Sequence, residues 1–187
     1  MIYPQKLNSK KSNLIVKLGI SISLIIAIII SILNWLTTPQ IPWAAIANCS
    51  IIYIWVILFY SIKKRINIAG HVLMHTISIS LLNIYIDYRL GFTQWSLNIA
   101  IPIIIIIANI TMLVLTIVSH KQFIKYAIYQ LIIVFFSIIP IIFITENIIQ
   151  NKTLSIIAIA ISVLNFLLSI ILCTKDVRET VIRKFHV

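Results

Sequence analysis

The chain has 187 residues, of which 61% are hydrophobic and 10% charged, and its mean hydropathy is +1.10. A soluble domain of this length cannot hide so much apolar surface, so the composition excludes a soluble globular protein and indicates one embedded in a bilayer. The net charge of +11 would suit nucleic acid, but the basic residues cluster between apolar stretches. We therefore attribute the charge to membrane topology and to contact with anionic lipid headgroups, and expect no nucleic-acid partner.

Six apolar stretches are each long enough to cross a hydrocarbon core about 30 Å thick, which takes about 20 helical residues. Within them there is no Lys, Arg, Asp or Glu. In chain order the predicted spans are Leu18–Leu36, Trp43–Ile62, Ile66–Ile86, Leu97–Val118, Tyr126–Ile144 and Leu154–Cys173. The sequence thus predicts an all-α, polytopic bundle of six transmembrane helices at residues 18–173, with a basic segment at 1–17 and a basic tail at 174–187.

The basic residues alternate between the connections. All but two of the 15 lysines and arginines lie in the N-terminal segment, the second and fourth connections and the C-terminal tail; the exceptions are Arg89 and Lys152. Because basic residues are retained on the cytoplasmic side during insertion, this pattern predicts six crossings with both termini in the cytoplasm. The three tryptophans that fall at predicted outer ends, as interface residues do, are Trp35, Trp43 and Trp95.

The third span carries the candidate intramembrane polar cluster. His71 and His75 are four residues apart and share a helical face, and Asn109 of the fourth span lies at a similar depth. A His–Asn contact between the two helices is therefore expected. Polar groups in a membrane are costly unless paired, solvated or used. We interpret the histidines first as hydrogen-bond donors to a neighbouring helix, with a metal, cofactor or proton relay as the alternatives.

A candidate external corner follows the third span and contains Asp87, Arg89, Gly91 and Trp95. Asp87 either pairs with Arg89 or caps backbone amides of the reversal, and Gly91 supplies a positive φ if the turn needs one. Loop acids are ordinarily solvated or form turns, so we interpret this corner first as structural and second as a binding site.

No catalytic constellation, cofactor or metal site is predicted. The spacing of a His-x-x-x-His pair suits a metal, but membrane histidine boxes need many more histidines than the four present. Ligation of haem between helices would require a histidine on each of two helices, whereas His71 and His75 both lie on the third span. Cys49 and Cys173 lie near opposite ends of different spans, so they cannot form a disulfide, and we interpret them as packing residues.

Helix packing is expected to follow from the scarcity of glycine. The chain has three glycines and no G-x-x-x-G, so close helix crossings of that type are not expected. Interlocking aliphatic side chains, helped by scattered Ser, Thr and Asn, should hold the bundle together. Pro102 and Pro140 are expected to kink the fourth and fifth helices.

The C-terminal tail is predicted to form an amphipathic helix, with Val181 and Phe185 on its apolar line. Arg178, Arg183 and Lys184 lie outside that line. We interpret the tail first as a contact with anionic headgroups of the inner leaflet, and second as a docking site for a membrane protein or peptide.

Several short motifs carry a resemblance to a known family. They are Tyr3-Pro4, Asn34-Trp35, Asp87-x-x-x-Gly91-x-x-x-Trp95-Ser96 with Pro102 downstream, Pro140, and Arg183-Lys184-Phe185-His186-Val187. In these the chain resembles family 6320 of unknown function, six-helix membrane proteins of low-GC Gram-positive bacteria. The resemblance implies a bacterial cytoplasmic membrane and no assigned activity. Many members carry an N-terminal zinc ribbon, whose cysteines this sequence does not contain.

These observations favour a non-enzymatic membrane protein, an accessory or immunity-type factor that binds another membrane component through its helices or tail. The alternative is a small transporter or channel subunit in which His71, His75 and Asn109 line a polar path. An intramembrane enzyme ranks third, because the sequence offers no paired acids, no Ser–His or Cys–His arrangement and no metal set.

Overall fold

The computed structural model describes residues 9–63, 68–118, 123–145 and 152–185, and the side chains of 14–62, 68–118, 128–145 and 152–171. Over these ranges the chain is helical except for two turns, one after Thr37 and one after Arg89. The structure divides into two compact units, one up to Ile54 and one from Trp55 onward, and each is described by itself.

Six α-helices and one π-helical turn make up the described chain. The turn, Ser96–Ala100, leads directly into the fourth helix. The α-helices are α1 Ser9–Thr37, α2 Trp43–Lys63, α3 Ile68–Arg89, α4 Ile101–Val118, α5 Phe123–Thr145 and α6 Lys152–Phe185. Within the described ranges, six helices are long and apolar enough to span a membrane. This confirms the predicted all-α fold and the predicted number of candidate spans.

The helix ends depart from the predicted spans where polar residues continue the helix. α3 runs to Arg89 instead of Ile86, because Asp87 is part of its last turn. α6 continues past Cys173 to Phe185, so the predicted tail prolongs the last helix without a break. Its 34 residues extend about 51 Å, which is well beyond a hydrocarbon core of about 30 Å.

The first unit contains α1 and the beginning of α2. The most apolar window of α1 has none of its residues buried. Ile25, in the middle of the helix, is 56% exposed. Exposure of so many aliphatic side chains to water is unfavourable. The hydrocarbon region of a bilayer is therefore the environment that suits them.

The second unit has α4 at its centre, in contact with α3, α5 and α6. Two apolar clusters fill the space between these helices. One consists of Ala69, Leu73, Ala108, Met112 and Ile133, and the other of Leu97, Ile101, Ile105 and Ala158. The helices therefore pack through one face each and leave their aliphatic outer faces exposed.

The inner face of α6 is made of small and polar side chains. Its buried residues are Ser155, Ala158, Ser162, Asn165 and Ser169. They recur with spacings of three and four residues, which places them on one stripe of the helix. Small side chains let helix backbones approach closely in membranes. The packing of α6 thus differs from the expected interlocking of aliphatic side chains, since the Ser and Asn residues are aligned and not scattered.

The two intrahelical prolines have different surroundings. Pro102 is the second residue of α4. The π-helical turn ends just before it, where the Ile101 N–H donates a hydrogen bond to the Ser96 carbonyl, five residues back. A proline cannot donate a backbone hydrogen bond, so the irregular turn lies where the regular ladder would be interrupted. Pro140 lies inside α5, which remains helical from Phe123 to Thr145.

Candidate functional site

The buried face of α3 is different from the face that carries the histidines. Its buried residues are Ala69, Gly70, Leu73, Thr76, Ser80 and Asp87. His71 is half-buried and His75 is exposed. The residues that pack inward against α4 are mostly small, because close approach between membrane helices needs small side chains. His71 and His75 therefore lie beside the buried face of α3 and not on it.

His71 packs against an aromatic ring of α2. Its imidazole meets the Tyr60 ring edge-on, with ring centroids 5.0 Å apart and an interplanar angle of 86°. The His71 Nε2 atom is buried and has no hydrogen-bond partner among the described residues. Next to it, a Cβ added to Gly70 would lie 2.5 Å from the Tyr60 hydroxyl and 3.3 Å from the Tyr129 ring. Glycine at position 70 thus allows α3 to approach both tyrosines.

Asn109 is directed toward α6. Its side-chain amide donates to the Ser162 hydroxyl at 2.7 Å and to the Ile105 carbonyl at 2.9 Å. In return, Asn165 Nδ2 donates to the Asn109 backbone carbonyl at 2.7 Å and approaches Asn109 Oδ1 at 3.3 Å. The hydrogen bonds of Asn109 therefore link α4 with α6, and not with the histidine face of α3.

A further polar residue, Gln130, links α5 to the same stripe of α6. It is fully buried, and its Nε2 donates to the Ser169 hydroxyl at 2.7 Å and to the Asn165 carbonyl at 3.3 Å. Two amide oxygens, Gln130 Oε1 and Asn165 Oδ1, have no hydrogen-bond partner in the part of the chain that the structure describes. We name Asn109, Gln130, Ser162, Asn165 and Ser169 the polar seam.

The polar seam holds three helices together. Its members come from α4, α5 and α6, and their donors are used on one another or on backbone carbonyls. Hydrogen bonds of this kind between membrane helices are worth about 0.6 kcal/mol on average. Gln130, Ser162 and Ser169 were not among the residues predicted to form a site. A search of the sixth span for small residues at alternating three- and four-residue spacing would have found the last two.

Asp87 organises the turn after α3. Its carboxylate is fully buried and accepts hydrogen bonds from the Ser96 hydroxyl at 2.7 Å, the Ser96 N–H at 3.1 Å and the Thr93 hydroxyl at 3.2 Å. Arg89, by contrast, is exposed. Of the two predicted roles, the structure thus displays the cap on a backbone amide, at the point where the π-helical turn begins. Trp95, the residue before that turn, is half-buried.

Three residues of the same turn have a positive φ. Gly91 has φ +96°, and two non-glycine residues, Phe92 and Gln94, have φ +53° and +66°. Positive φ is uncommon for a bulky residue and costs about 1–3 kcal/mol when the surrounding structure enforces it. The hydrogen bonds to Asp87, including the 2.8 Å bond from the Phe92 N–H to the Asp87 backbone carbonyl, hold the turn in this conformation.

Asn34 has the equivalent position in the turn after α1. Its Nδ2 donates to the Thr38 and Ile41 carbonyls at 2.7 and 2.9 Å, and its Oδ1 accepts from the Ala44 N–H at 3.1 Å. Trp43 closes the turn by donating from Nε1 to the Thr38 hydroxyl at 2.8 Å. The side chain of Asn34 is thus used to build the turn.

The remaining predicted residues lie outside the described side chains or away from any chemical cluster. The side chains of Arg178, Arg183, Lys184 and Phe185, the predicted headgroup or partner contact, lie outside the described residues. Cys49 is a free thiol and is half-buried. Among the described residues, no group of three or more His, Cys, Asp and Glu side chains is close enough to hold a metal ion.

The chain belongs to the family of unknown function DUF6320, whose sequence model matches residues 3–187. This confirms the resemblance drawn from the short motifs. No curated protein and no solved structure matches the chain.

Proposed function

We propose that this DUF6320 member is a non-enzymatic integral membrane protein, an accessory or immunity-type factor that acts by binding another membrane component. In this proposal the chain crosses a bacterial cytoplasmic membrane six times, with both termini in the cytoplasm. The basic connections set that orientation. Helix surfaces or the C-terminal tail make the contact with the partner.

The polar seam is the observation that carries the proposal. Intramembrane polar residues usually mark a pathway or a reaction centre. Here three buried ones, Asn109, Gln130 and Asn165, are used for contacts between α4, α5 and α6. This supports a scaffold whose interior is devoted to packing and whose outer surfaces are free for binding.

The test is in-cell cross-linking of the full chain, followed by purification and mass spectrometry. We expect one protein to be captured in near-stoichiometric amount, and expect its yield to fall several-fold when residues 174–187 are removed. The matched control replaces Arg178, Arg183 and Lys184 with Gln, which keeps the helix length but removes headgroup attraction. Capture retained in the control assigns the contact to the tail's apolar line. Absence of any stoichiometric partner of the full chain would contradict the proposal.

The alternative function is a small transporter or channel subunit. The observation that favours it is the buried Nε2 atom of His71, for which the described residues provide no hydrogen-bond partner. The test is the double variant His71→Leu and His75→Leu in reconstituted vesicles. A transport role predicts that the wild-type chain carries a flux and that the double variant inserts but carries none. A packing role predicts that the double variant has a changed stability and that neither protein carries a flux.

A further inference from the structure

An apolar cleft lies between α3, the start of α4 and α5, all within the second unit. Its open volume is about 220 Å³. The residues that form its walls include Ser80, Ile84, Leu97, Phe136, Ile139 and Phe143. Along α5 the cleft extends from Phe136 to Phe143, which is about 10 Å of helix. It is therefore a lengthwise groove in the helical surface.

The cleft forms because α3 and α5 approach closely at one end and not at the other. Near the beginning of α3, Gly70 lies against the Tyr129 ring of α5. Ten residues further along α3, at Ser80, the space toward Ile139 and Pro140 of α5 is open. Leu97 and Ile101 close the bottom of this space. The groove thus belongs to the half of the bundle nearer the turn after α3.

The walls offer hydrocarbon to any occupant. Leucine, isoleucine and phenylalanine side chains dominate them. Ser80 contributes a hydroxyl, but its oxygen is covered and has no hydrogen-bond partner among the described residues. An occupant with a charged or strongly polar group would lose its hydration without gaining a partner here. The groove therefore selects an apolar group.

The position and the size of the groove distinguish a lipid chain from a helix. Ser80 lies nine residues inside the Arg89 end of α3, which is about 14 Å of helix, so the groove is reached from the hydrocarbon region. A helix with its side chains is about 10–12 Å across, whereas the groove offers only about 220 Å³, so it is too small for a helix. We infer that the groove binds one acyl chain of a bilayer phospholipid, inserted lengthwise between α3 and α5.

The probe is phosphatidylcholine that carries a diazirine in one acyl chain, mixed into phosphatidylcholine vesicles that hold the full chain. Irradiation followed by mass spectrometry locates the labelled residues. We expect labelling of Leu81, which also lines the groove, and of the wall residues Phe136, Ile139 and Phe143 on α5 to exceed that of Ile25 on α1 several-fold. Leu81 and Ile25 are similarly exposed, at 62% and 56%, so a chain that merely covers the outer surface would label them alike.

A matched pair of variants tests the groove directly. Ile139→Trp fills it, while Ile142→Trp places the same ring on the same helix at a residue that is 59% exposed and outside the groove. We expect Ile139→Trp to reduce the groove labelling several-fold and Ile142→Trp to leave it unchanged. Equal labelling of Leu81 and Ile25 in the wild-type chain would overturn the inference, even if Ile139→Trp fails to insert. Unchanged labelling in a folded Ile139→Trp variant, or cross-links to a second copy of the chain in place of lipid, would overturn it as well.

Discussion

The turn after α1 and the turn after α3 are both closed by a polar side chain from the preceding helix, an amide in the first turn and a carboxylate in the second. In each, the last turn of one helix supplies a short polar side chain that accepts a hydrogen bond from the start of the next helical segment: Asn34 from the Ala44 N–H, and Asp87 from the Ser96 N–H. The reversal is thereby closed by a cap on otherwise unpaired helix amides.

The difference between the turns lies in how the rest of each is supported. Asn34 also donates to the Thr38 and Ile41 carbonyls, in a loop where two prolines restrict the backbone. Asp87 has no hydrogen to donate when ionised and accepts from the Thr93 and Ser96 hydroxyls, in a loop with three positive φ angles. An amide thus suits a turn that presents carbonyls, and a carboxylate suits one that presents hydroxyls and amides.

Removing the carboxylate should have the largest effect. Asp87→Ala leaves the Ser96 N–H, the Ser96 hydroxyl and the Thr93 hydroxyl without their acceptor. We expect a loss of about 3 kcal/mol in the free energy of unfolding, because hydrogen bonds to a charged group and buried unpaired donors are both expensive. The measurement is unfolding by denaturing detergent in mixed micelles, followed by circular dichroism. A loss below about 1 kcal/mol would mean that solvent or lipid replaces the carboxylate.

Exchanging the chemistry in the first turn should come next. Asn34→Asp keeps the acceptor for the Ala44 N–H but places a carboxylate against the Thr38 and Ile41 carbonyls, to which it cannot donate. We expect a loss of about 2 kcal/mol from two missing hydrogen bonds and the added repulsion. The same unfolding assay measures it. If the loss becomes smaller at low pH, where the protonated carboxyl donates one of the two missing hydrogen bonds, the chemical explanation holds; a loss independent of pH contradicts it.

The reverse exchange should be milder. Asp87→Asn keeps an oxygen for the Ser96 N–H and hydroxyl, while the Thr93 hydroxyl can rotate to accept from the new amide. We expect a loss of about 1.5 kcal/mol, because the charge is lost but the geometry is kept. Equal losses for Asp87→Asn and Asp87→Ala would show that the charge, and not the acceptor geometry, stabilises this turn.

The smallest effect is expected at Gly91. Its φ is +96°, and a Cβ added there would meet no atom of the described residues within 4 Å, so the cost of Gly91→Ala is confined to the backbone conformation. We expect about 1 kcal/mol. Gly91→Asn serves as the control, because asparagine tolerates positive φ better than alanine does. A larger loss for Asn than for Ala would contradict a purely conformational cost.

The elements that the sequence predicts well are those that depend on apolar length and on local chemistry. Six long charge-free stretches correspond to six helices, because a span needs little more than enough apolar residues. A positive φ at Gly91 was predicted as an option, since glycine adopts it at low cost. Phe92 and Gln94 carry no comparable local signal, because their conformation is imposed by hydrogen bonds to Asp87 and the following turn.

Partner choice inside the bundle was harder to predict. Asn109 was expected to face the histidines of α3, but its partners Ser162 and Asn165 lie more than 50 residues away along the chain. Depth in the membrane restricts which residues can meet and does not decide between neighbouring helices. The inward face of α3 follows side-chain size and not polarity, since Ala69, Gly70 and Ser80 are buried there while His75 is exposed.

The most direct test of the six-crossing account is cysteine labelling in a background with Cys49→Ser and Cys173→Ser. Single cysteines replace Gln40 in the turn after α1, Arg89 at the end of α3, and Lys63 and Lys121 next to or in the basic connections. With a membrane-impermeant maleimide on intact cells, the account predicts labelling at positions 40 and 89, and labelling at 63 and 121 only after permeabilisation. Labelling of the two turns from opposite sides of the membrane would contradict it.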